Sequence, residues 1–425
     1  MAPSPTPLDR FLHGINNANL ELMLSAFASD AEIVDDGKSF RGEGIQALCG
    51  SGIIGHHGRV EILERELRTD GKVFQHVKMD GDFSEGFGIH EPFDLYLLAT
   101  VEKDKIKYLE RGDVDPRKPT IRTVYAASGN SIDPLSSIRI NRRNHSGPKE
   151  GWVRVKMQAV GLNFHDIFTL RGIGLHEIRY PMILGNEGAG ILEDGTEVAV
   201  YPYLGDADFK GDETLDPKRH VLGEVVQGLD AKDASVMGIA WLTAYRMMFK
   251  QASLRPGQTV LVQGSSGGVT TALIQLGSVA GFRVWATGRT EAKRALATRL
   301  GAERTFEPLA KFPYLVDATF DTSGAATISH SSASAKPGGT VVSCGIHSEG
   351  GSTDVKIDLL HILANQIILT GVYTGTREEF VDLLNFVVLK GIKPHIGKVL
   401  PLERADEGLK DIWEGKTEGK IVVTI

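Results

Sequence analysis

The chain of 425 residues is too long for one ordinary hydrophobic core and indicates two or three domains. Its 41% hydrophobic and 24% charged residues are ordinary for a globular protein, and its net charge of −7 argues against nucleic-acid or anionic-membrane partners. Because no run of about eighteen apolar residues and no signal-peptide core occurs, we expect a cytoplasmic protein with no membrane partner. Cys49 and Cys344 are too few for a disulfide framework or a cysteine-based zinc lobe.

Residues 1–113 predict an α+β domain in which helices precede antiparallel strands. Apolar spacing indicates a helix over residues 8–15 and a second over residues 20–27, separated by an asparagine-rich break at residues 16–19. Alternating apolar residues then predict three strands, at residues 60–67, 73–79 and 93–101.

Short phrases in this region carry a family resemblance. They are NANL at residues 17–20, FASDAEIVDDG at residues 27–37, FRGEGI at residues 40–45 and GDFSEG at residues 81–86. Together with a closing strand at residues 105–109, they make residues 7–113 resemble the SnoaL-like polyketide cyclases of the nuclear-transport-factor-two-like cone fold. The resemblance implies a cone-shaped domain, which in such folds is a cyclase, an isomerase, a dehydratase or a non-catalytic pocket.

The titratable residues of this domain are candidates for chemistry. Asp35 and His57, placed across an apolar pocket, would suit general acid and base catalysis at an acidic C–H bond. The other candidates are Asp36, His56, His76 and Asp82. The alternative is structural, because Asp35 and Asp36 precede a glycine and fit a turn, while His57 lies in a glycine-flanked loop. In that case the domain mediates dimerisation or covers the neighbouring pocket.

A nucleotide-binding pattern occupies residues 259–293. A buried-type apolar strand leads into a turn with Gly264, Gly267 and Gly268, and apolar residues recur at helical spacing from Val269 onward. The free N–H groups of a helix N-terminus at this point would bind a pyrophosphate. We expect the turn residues to bind the cofactor: Gly264, Ser265, Ser266, Gly267, Gly268 and Val269.

The glycine fingerprint is only partly met, because Ser265 and Thr270 stand at its first and last positions. From this motif alone, a glycine turn in another kind of βαβ unit is the alternative. A second strand, over residues 283–287, ends where the adenosine ribose is expected, and Arg289 and Lys293 follow it. Because cations suit a 2′-phosphate, we expect NADP(H) rather than NAD(H). Alternatively, both cations are solvated charges at a helix start.

Six phrases in order carry a second resemblance. They are VRVKMQAVGLNFHD at residues 153–166, PMILGNEGAG at 181–190, MGIAWLTAYRMM at 237–248, LRPGQTVLVQGSSGGV at 254–269, KPGGTVVSCG at 336–345 and EGKIVV at 418–423. They make residues 121–425 resemble the medium-chain dehydrogenase/reductase superfamily, in its zinc-free quinone-oxidoreductase-like and enoyl-reductase-like branch. The resemblance implies a GroES-like catalytic β-barrel over residues 121–243 and 375–425, with an inserted Rossmann doubly wound parallel sheet over residues 244–374. Residues 114–120 form a linker.

Residue types at two positions argue against zinc. Zinc-dependent relatives carry a cysteine where this chain has Asn163 and a histidine where it has Asn186, so the resemblance implies neither catalytic nor structural zinc. Without a Lewis acid, hydride transfer to a conjugated C=C or a quinone is favoured over reduction of a simple carbonyl, for which a protein oxyanion site would be needed.

The segment between residues 201 and 241 is shorter than in relatives, which predicts a trimmed barrel and an open cleft.

The resemblance and the expected ends of the parallel strands give the remaining candidates. The cofactor-binding candidates are Asn163, Thr243, Cys344, Gly345, Ile346 and Lys420. The proton that follows the hydride would come from water or from a side chain near the cleft. The side-chain candidates are His165, Asp166, Tyr201, Tyr203 and Tyr373. Each also has a structural interpretation, and Asp166 in particular can cap its short helix.

Together these patterns predict an NADPH-dependent, zinc-free reductase of an α,β-unsaturated, polyketide-like small molecule, fused to a SnoaL-like domain that cyclises, isomerises or dehydrates, in secondary-metabolite tailoring. One alternative is a ketone or quinone reductase whose cone is a non-catalytic dimerisation or pocket-covering module. Another is a non-redox cyclase, isomerase or binding protein on a reductase scaffold. We expect a homodimer, because both folds often pair through sheet edges or faces.

Overall fold

The computed structural model describes ten stretches of the chain. They are residues 5–35, 38–83, 92–144, 148, 152–173, 180–204, 212, 220–221, 229–345 and 355–425. The chain divides into two compact units, the first made of Met1–Gly147 and Leu170–Ile183 and the second of Pro148–Thr169 and Leu184–Ile425. Within the described stretches, no helix is long and apolar enough to cross a membrane.

The first unit begins with helices that pack on its sheet. Its α-helices are α1 (Pro7–Asn16), α2 (Leu20–Ser25) and α3 (Glu43–Ala47), with a π-helical turn at Leu48–Ile53 and 3-10 turns at Ile54–His56 and Pro134–Ser137. Thr6 starts α1, because its hydroxyl accepts the amide of Asp9 at 3.2 Å while the Asp9 carboxylate accepts the amide of Thr6 at 2.9 Å. Leu8, Phe11 and Ile15 form the buried face of this helix, as the apolar spacing predicted.

Phe27 departs from the helical prediction. Helix α2 ends at Ser25, and the carbonyl of Ala26 already accepts the amide of Ile106 at 2.8 Å. Phe27 therefore begins a strand that pairs with Ile106. Apolar spacing could not reveal this boundary, because Phe27 is buried in the core whether it ends a helix or begins a strand.

A six-stranded sheet forms the body of the first unit. Its strands are β1 (Phe27–Asp35), β2 (Lys38–Arg41), β3 (Arg59–Leu67), β4 (Val73–Asp80), β5 (Phe93–Glu102) and β6 (Lys105–Gly112). They lie in the order β2-β1-β6-β5-β4-β3, in which β1 and β6 are parallel and all other neighbours antiparallel. The three alternating segments expected to form antiparallel strands are thus confirmed as β3, β4 and β5.

The first unit also contains a three-stranded sheet. Its strands are β7 (Thr120–Ala126), β8 (Ile138–Asn144) and β10 (Met182–Ile183), in the order β10-β7-β8. Between β6 and β7, the buried carboxylate of Asp115 accepts the Arg117 guanidinium at 3.0 Å, and the same guanidinium lies 4.0 Å from the Phe74 ring centre. Residues of the predicted linker therefore make contacts within the first unit.

The second unit contains a five-stranded sheet built from distant parts of the chain. Its strands are β9 (Lys156–Leu162), β11 (Gly188–Ile191), β12 (Glu197–Val200), β21 (Ile396–Pro401) and β22 (Lys420–Thr424), in the order β12-β11-β9-β22-β21. A two-stranded ribbon, β13 (Tyr203–Leu204) and β14 (His220–Val221), follows β12 in the chain. Most of the shortened segment between residues 201 and 241 lies outside the described residues, so the trimmed barrel stays a prediction.

A six-stranded parallel sheet forms the other part of the second unit. Its strands are β15 (Thr259–Gln263), β16 (Arg283–Thr287), β17 (Arg304–Phe306), β18 (Val316–Asp321), β19 (Ala335–Ser343) and β20 (Ile368–Gly371). Their order, β17-β16-β15-β18-β19-β20, is that of the Rossmann fold, in which ligands bind where the winding reverses, here between β15 and β18. The predicted doubly wound sheet is confirmed.

Helices flank both sheets of the second unit. The α-helices are α4 (Phe164–Arg171), α5 (Ala231–Ala234), α6 (Leu242–Tyr245), α7 (Gly268–Val279), α8 (Glu291–Arg299), α9 (Ile328–Ser334), α10 (Leu359–Asn365), α11 (Arg377–Lys390) and α12 (Ala405–Trp413). Helix α6 lies between π-helical segments at Met237–Trp241 and Arg246–Gln251, and 3-10 turns occur at Gly324–Ala326 and Leu402–Arg404.

Replacing Arg111 with leucine should destabilise the first unit. The Arg111 guanidinium donates two hydrogen bonds to Asp35, at 2.6 and 2.8 Å, and only 15% of its side chain is exposed. Its loss leaves a largely buried carboxylate without its cation, at a cost of about 1–3 kcal/mol. We expect a lower midpoint for the corresponding transition in scanning calorimetry of the full chain.

The matched control is Arg41→Leu in the same sheet. Arg41 pairs with Glu32 at 2.8 Å, but 70% of its side chain is exposed. An exposed pair contributes about 0–1 kcal/mol, so this variant should unfold close to the wild-type midpoint. Equal shifts in the two variants would contradict the importance of burial at Arg111.

Candidate active site

The glycine turn after β15 has the geometry of an anion-binding turn. Gly264 has φ +109°, which L-residues rarely adopt. Gly267 caps α7 without a side chain, and a Cβ atom there would meet only the Thr270 hydroxyl, at 3.6 Å. The first N–H groups of this twelve-residue helix therefore remain open to a phosphate group. Thr270, at the last fingerprint position, donates to the Gly267 carbonyl at 3.0 Å and so stabilises the turn.

Gly268 has a second reason to be glycine. A Cβ atom at this position would lie 2.8 Å from Cδ of Lys420 and 3.2 Å from Cβ of Ala240. In the same region, the amide of Gly419 donates to the carbonyl of Ser266 at 2.7 Å. The turn is therefore packed against strand β22 as well as open to a ligand.

Two side chains at strand ends, Thr287 and Gln263, support the turn, and the sequence analysis did not predict either of them. The hydroxyl of Thr287, at the end of β16, accepts the amide of Gly264 at 2.9 Å and donates to Oε1 of Gln263 at 3.1 Å. Nε2 of Gln263 lies 2.8 Å from Nδ1 of His330. The position of Gln263, a polar residue at the end of an apolar strand, was a signal in the sequence that could have indicated this role.

The end of β16 brings the two predicted cations together. Lys293 donates to the carbonyl of Gly415 at 3.0 Å, and a Cβ atom at Gly415 would lie 3.3 Å from the Arg289 guanidinium. Burial and the nearby charge of Arg289 lower the pKa of Lys293. The hydroxyl of Ser265 is buried and has no hydrogen-bond partner among the described residues, and it lies 2.6 Å from where a Cβ atom of Gly288 would be. An unpaired donor and two cations fit a ribose 2′-phosphate.

A buried charge cluster joins β9, β11 and β22. The ammonium of Lys420 donates at 2.7 Å to each of three oxygens, those of the Leu162 carbonyl, the Asn163 amide and the Glu187 carboxylate. Asn163 donates to Glu187 at 2.8 Å, and the amide of Ile239 donates to the other Glu187 oxygen at 2.7 Å. Lys420 is 2% exposed. Glu187 was not predicted as a site residue, although a carboxylate in the Gly-Asn-Glu phrase was a signal for it.

The Asp166 carboxylate accepts hydrogen bonds from three residues beside this cluster. Its carboxylate, with 0% exposure, accepts the amides of Asn163 and Gly185 and the side-chain amide of Asn186, each at 2.9 Å. Burial raises the pKa of Asp166, and its backbone hydrogen bonds oppose that rise. These contacts fit the helix-orienting interpretation of Asp166, because both oxygens are already occupied by donors of the protein.

His165 and Tyr373 meet in the second unit. Nε2 of His165 lies 3.0 Å from the hydroxyl of Tyr373, although 208 residues separate them in sequence. The Tyr203 ring lies 6.0 Å from the Tyr373 ring and 6.0 Å from the Tyr201 ring. Tyr201 is buried and donates its hydroxyl to the Gly375 carbonyl at 3.0 Å. The structure therefore places four of the five proton-donor candidates in one continuous set of contacts.

The remaining cofactor candidates lie around the parallel sheet. Thr243 is buried in α6, Val269 lies in the first turn of α7, and Cys344 follows β19, where burial raises the pKa of its thiol to about 12. Gly345 packs against the backbone of Thr322 with no space for a side chain. Ile346 lies outside the described residues.

The two main candidates of the first unit, Asp35 and His57, pair with different residues. Asp35 ends β1 and pairs with Arg111, whereas Nδ1 of His57 pairs with Asp82 at 2.9 Å, and both of those side chains are about four-fifths exposed. The apolar interior between α1 and the sheet, which Arg111 lines, leaves no room for a water molecule. Asp36 lies outside the described residues.

The other two candidate histidines of the first unit, His56 and His76, also have partners. Nδ1 of His56 lies 2.8 Å from the carbonyl of Asp82, and Nε2 of His76 lies 2.9 Å from the carboxylate of Asp94. Among the described residues of the whole chain, no group of three His, Cys, Asp or Glu side chains is arranged to hold a metal ion.

Replacing Lys420 with methionine should strongly destabilise the second unit. Met keeps the length of the stem but leaves the buried Glu187 carboxylate without its cation, which costs about 3–5 kcal/mol. All four tryptophans lie in the second unit, so urea unfolding followed by tryptophan fluorescence reports on it alone. The double variant K420M/E187Q should recover part of the loss.

Lys398→Met on the neighbouring strand β21 is the control. Lys398 pairs with Asp411 at 2.6 Å, but its side chain is 39% exposed. We expect a loss below about 1 kcal/mol. If K420M and K398M unfold at the same urea concentration, the buried cluster does not stabilise the unit.

Two segments of the second unit match families of known proteins. Residues 149–213 match the alcohol dehydrogenase GroES-like domain, and residues 268–388 match the zinc-binding dehydrogenase family. Human quinone oxidoreductase is 26% identical over 302 residues, which cover 65% of this chain and 90% of that protein.

Two further relatives extend the comparison. A highly reducing polyketide synthase of Cladosporium cladosporioides is 28% identical over 235 residues, which cover 53% of this chain and 10% of that protein. The solved structure of a thermostable alcohol dehydrogenase from Pyrobaculum aerophilum superimposes with a TM-score of 0.65 at 23% identity, over 72% of this chain and 100% of that one. Residues 149–213 and 268–388 therefore match the two domain families found in medium-chain dehydrogenases/reductases, which are oxidoreductases.

Proposed function

We propose that the second unit is an NADPH-dependent, zinc-independent reductase of a conjugated C=C bond in a polyketide-like small molecule. The observation that carries the proposal is the Lys420 cluster, in which an ammonium, an amide and a carboxylate satisfy one another. This set does not suit zinc, which takes cysteine, histidine and carboxylate ligands and would be repelled by the ammonium. A hydride acceptor in this site would therefore be activated by its own conjugation.

NADPH rather than NADH is supported by the end of β16. Arg289 and Lys293 lie together there, and the three residues that follow β16, Gly288–Thr290, include no acidic side chain. The unpaired hydroxyl of Ser265 supplies a further donor beside them. NADPH, when bound, supplies the hydride. The turn at Gly267 and the N-terminus of α7 would hold its pyrophosphate, and Arg289 would hold its 2′-phosphate.

Fluorescence titration with NADPH and NADH tests the cofactor choice. In Arg289→Ala, the affinity for NADPH should fall about tenfold to a hundredfold, as expected from about 1.5–3 kcal/mol for a hydrogen bond to a charged group. The affinity for NADH should stay unchanged, because it has no 2′-phosphate. Arg299→Ala, at the far end of α8, is the control and should bind both nucleotides as the wild type does.

Two results would contradict this part of the proposal. An equal loss of NADH and NADPH affinity in Arg289→Ala would mean that Arg289 supports the fold of the site rather than the 2′-phosphate. Absence of binding of either nucleotide to the wild type would remove the reductase proposal and leave the scaffold as a binding protein or non-redox enzyme.

The reaction is tested with a matched pair of probes. Benzylideneacetone contains a C=C bond conjugated to a ketone, and benzylacetone is the same ketone without that bond. We expect NADPH-dependent conversion of the first into the second, at least about tenfold faster than reduction of either carbonyl, which corresponds to about 1.4 kcal/mol in activation free energy. Product analysis by chromatography separates benzylacetone from the alcohols. Alcohol as the main product would instead indicate a ketone reductase.

Quinone reduction is the second candidate. It is favoured by the similarity to human quinone oxidoreductase and needs no metal, because a quinone is already conjugated. Similarity of half of the chain to a highly reducing polyketide synthase supports the enoyl substrate instead. Phenanthrenequinone added to the same assay distinguishes the two.

Residues 7–113 are proposed to form a SnoaL-like domain. Two features support this assignment. The helices precede a six-stranded sheet, and the ion pair of Asp35 and Arg111 lies at the edge of an apolar interior. The closed interior and the exposed position of His57 favour a non-catalytic role over cyclisation, isomerisation or dehydration.

A further inference from the structure

The pair of His165 and Tyr373 has a geometry suited to proton transfer. His165 lies in the first turn of α4, and Tyr373 lies two residues beyond the end of β20. The two side chains meet at 3.0 Å between Nε2 and the phenol oxygen. Tyr373 is 43% exposed, so its phenol remains in reach of a ligand and of water.

The environment of His165 fixes its protonation state. Burial lowers the pKa of His165, against a smaller raising effect of the neighbouring Asp166 carboxylate, so the imidazole is neutral at neutral pH. Its Nδ1 atom is buried and has no hydrogen-bond partner among the described residues. In proteins a buried N–H group without a partner is rarer than a buried acceptor without one, which favours hydrogen on Nε2. Nε2–H then donates to the phenol oxygen of Tyr373.

The other proton-donor candidates are less suited. Asp166 is fully buried and accepts three N–H groups, and Tyr201 is buried with its hydroxyl donated to Gly375. Tyr203 is 8% exposed and contacts the other two tyrosines through its ring. Tyr373 alone among these combines an exposed phenol with a neutral N–H donor on its oxygen.

We propose that Tyr373 is the catalytic proton donor to the α-carbon of the substrate and that His165 is the positioning residue that holds its phenol and stabilises the phenolate. The inference rests on the proposed reduction of a conjugated C=C bond. His165 acts through Tyr373, because its Nε2–H is directed at the phenol oxygen.

Proton donation by Tyr373 completes the reduction of the C=C bond. The hydride adds to the β-carbon, and the electron pair of the C=C bond moves to give an enolate. The O–H bond of Tyr373 breaks, its proton forms the new C–H bond at the α-carbon, and the carbonyl is restored. The phenolate that remains is stabilised by the hydrogen bond from His165 and takes a proton from water, to which Tyr373 is exposed.

The test compares two substrates in the full-length variant Tyr373→Phe. Reduction of benzylideneacetone should fall about 10²–10⁴-fold, the usual contribution of a general acid. Reduction of phenanthrenequinone should stay within about threefold, because the hydroquinone oxyanion takes its proton from water without a protein acid. NADPH affinity should equal that of the wild type. Equal losses with both substrates, or no loss with either, would overturn the inference.

His165 is tested with a pair of variants. His165→Leu removes the N–H donor and should slow benzylideneacetone reduction, whereas His165→Gln keeps an N–H group and should restore part of the rate. A second readout needs no substrate: the near-ultraviolet titration of Tyr373, taken as wild type minus Tyr373→Phe, should move to higher pH in the His165→Leu background. An unchanged titration would overturn the role of His165.

The outcomes separate this inference from the proposed function. Failure of the wild type to bind NADPH or to reduce benzylideneacetone contradicts the proposed function. A wild type that reduces benzylideneacetone, with Tyr373→Phe equally active, contradicts only the inference. If the wild type reduces neither probe, the titration of Tyr373 still decides whether His165 stabilises its phenolate.

Discussion

The second unit depends on one buried ammonium. Lys420 is removed from water and has all three of its N–H groups bonded, to Leu162, Asn163 and Glu187. An unpaired charge in that position would cost several kcal/mol, so the three oxygens must be held in place. The stem of the same side chain crosses Gly268, at the start of α7. The geometry of the five-stranded sheet and that of the glycine turn are thereby fixed by the same residue.

Cations are used in two different ways in this unit. The buried Lys420 has no N–H group left for a ligand, whereas Arg289 is exposed at the end of β16 and Lys293 contributes only one bond, to Gly415. The sequence analysis grouped all three as cofactor-binding residues. Burial separates them: the internal cation organises the protein, and the external pair is available to an anion.

Much of the architecture could be predicted from local patterns. The glycine turn that opens a helix and the doubly wound parallel sheet were predicted from residues close in sequence, and these predictions are confirmed. The roles of single polar residues were harder to predict, because their partners are remote in sequence. Lys420 meets Asn163 across 257 residues and His165 meets Tyr373 across 208, so no local signal reveals either contact. Phe27 shows the other limit, since a buried position is compatible with a helix or a strand.

The contact between β22 and the glycine turn also bears on how the protein is made. The turn at residues 264–268 is synthesised about 150 residues before Gly419 and Lys420, which complete its packing. At the usual 5–20 residues per second, roughly eight to thirty seconds separate the two on the ribosome. During that interval the parallel sheet can form, but the glycine turn lacks its contacts with Gly419 and Lys420. A nascent chain of this protein therefore completes the packing of this glycine turn at a late stage of translation, after most of the hydrophobic core of the second unit.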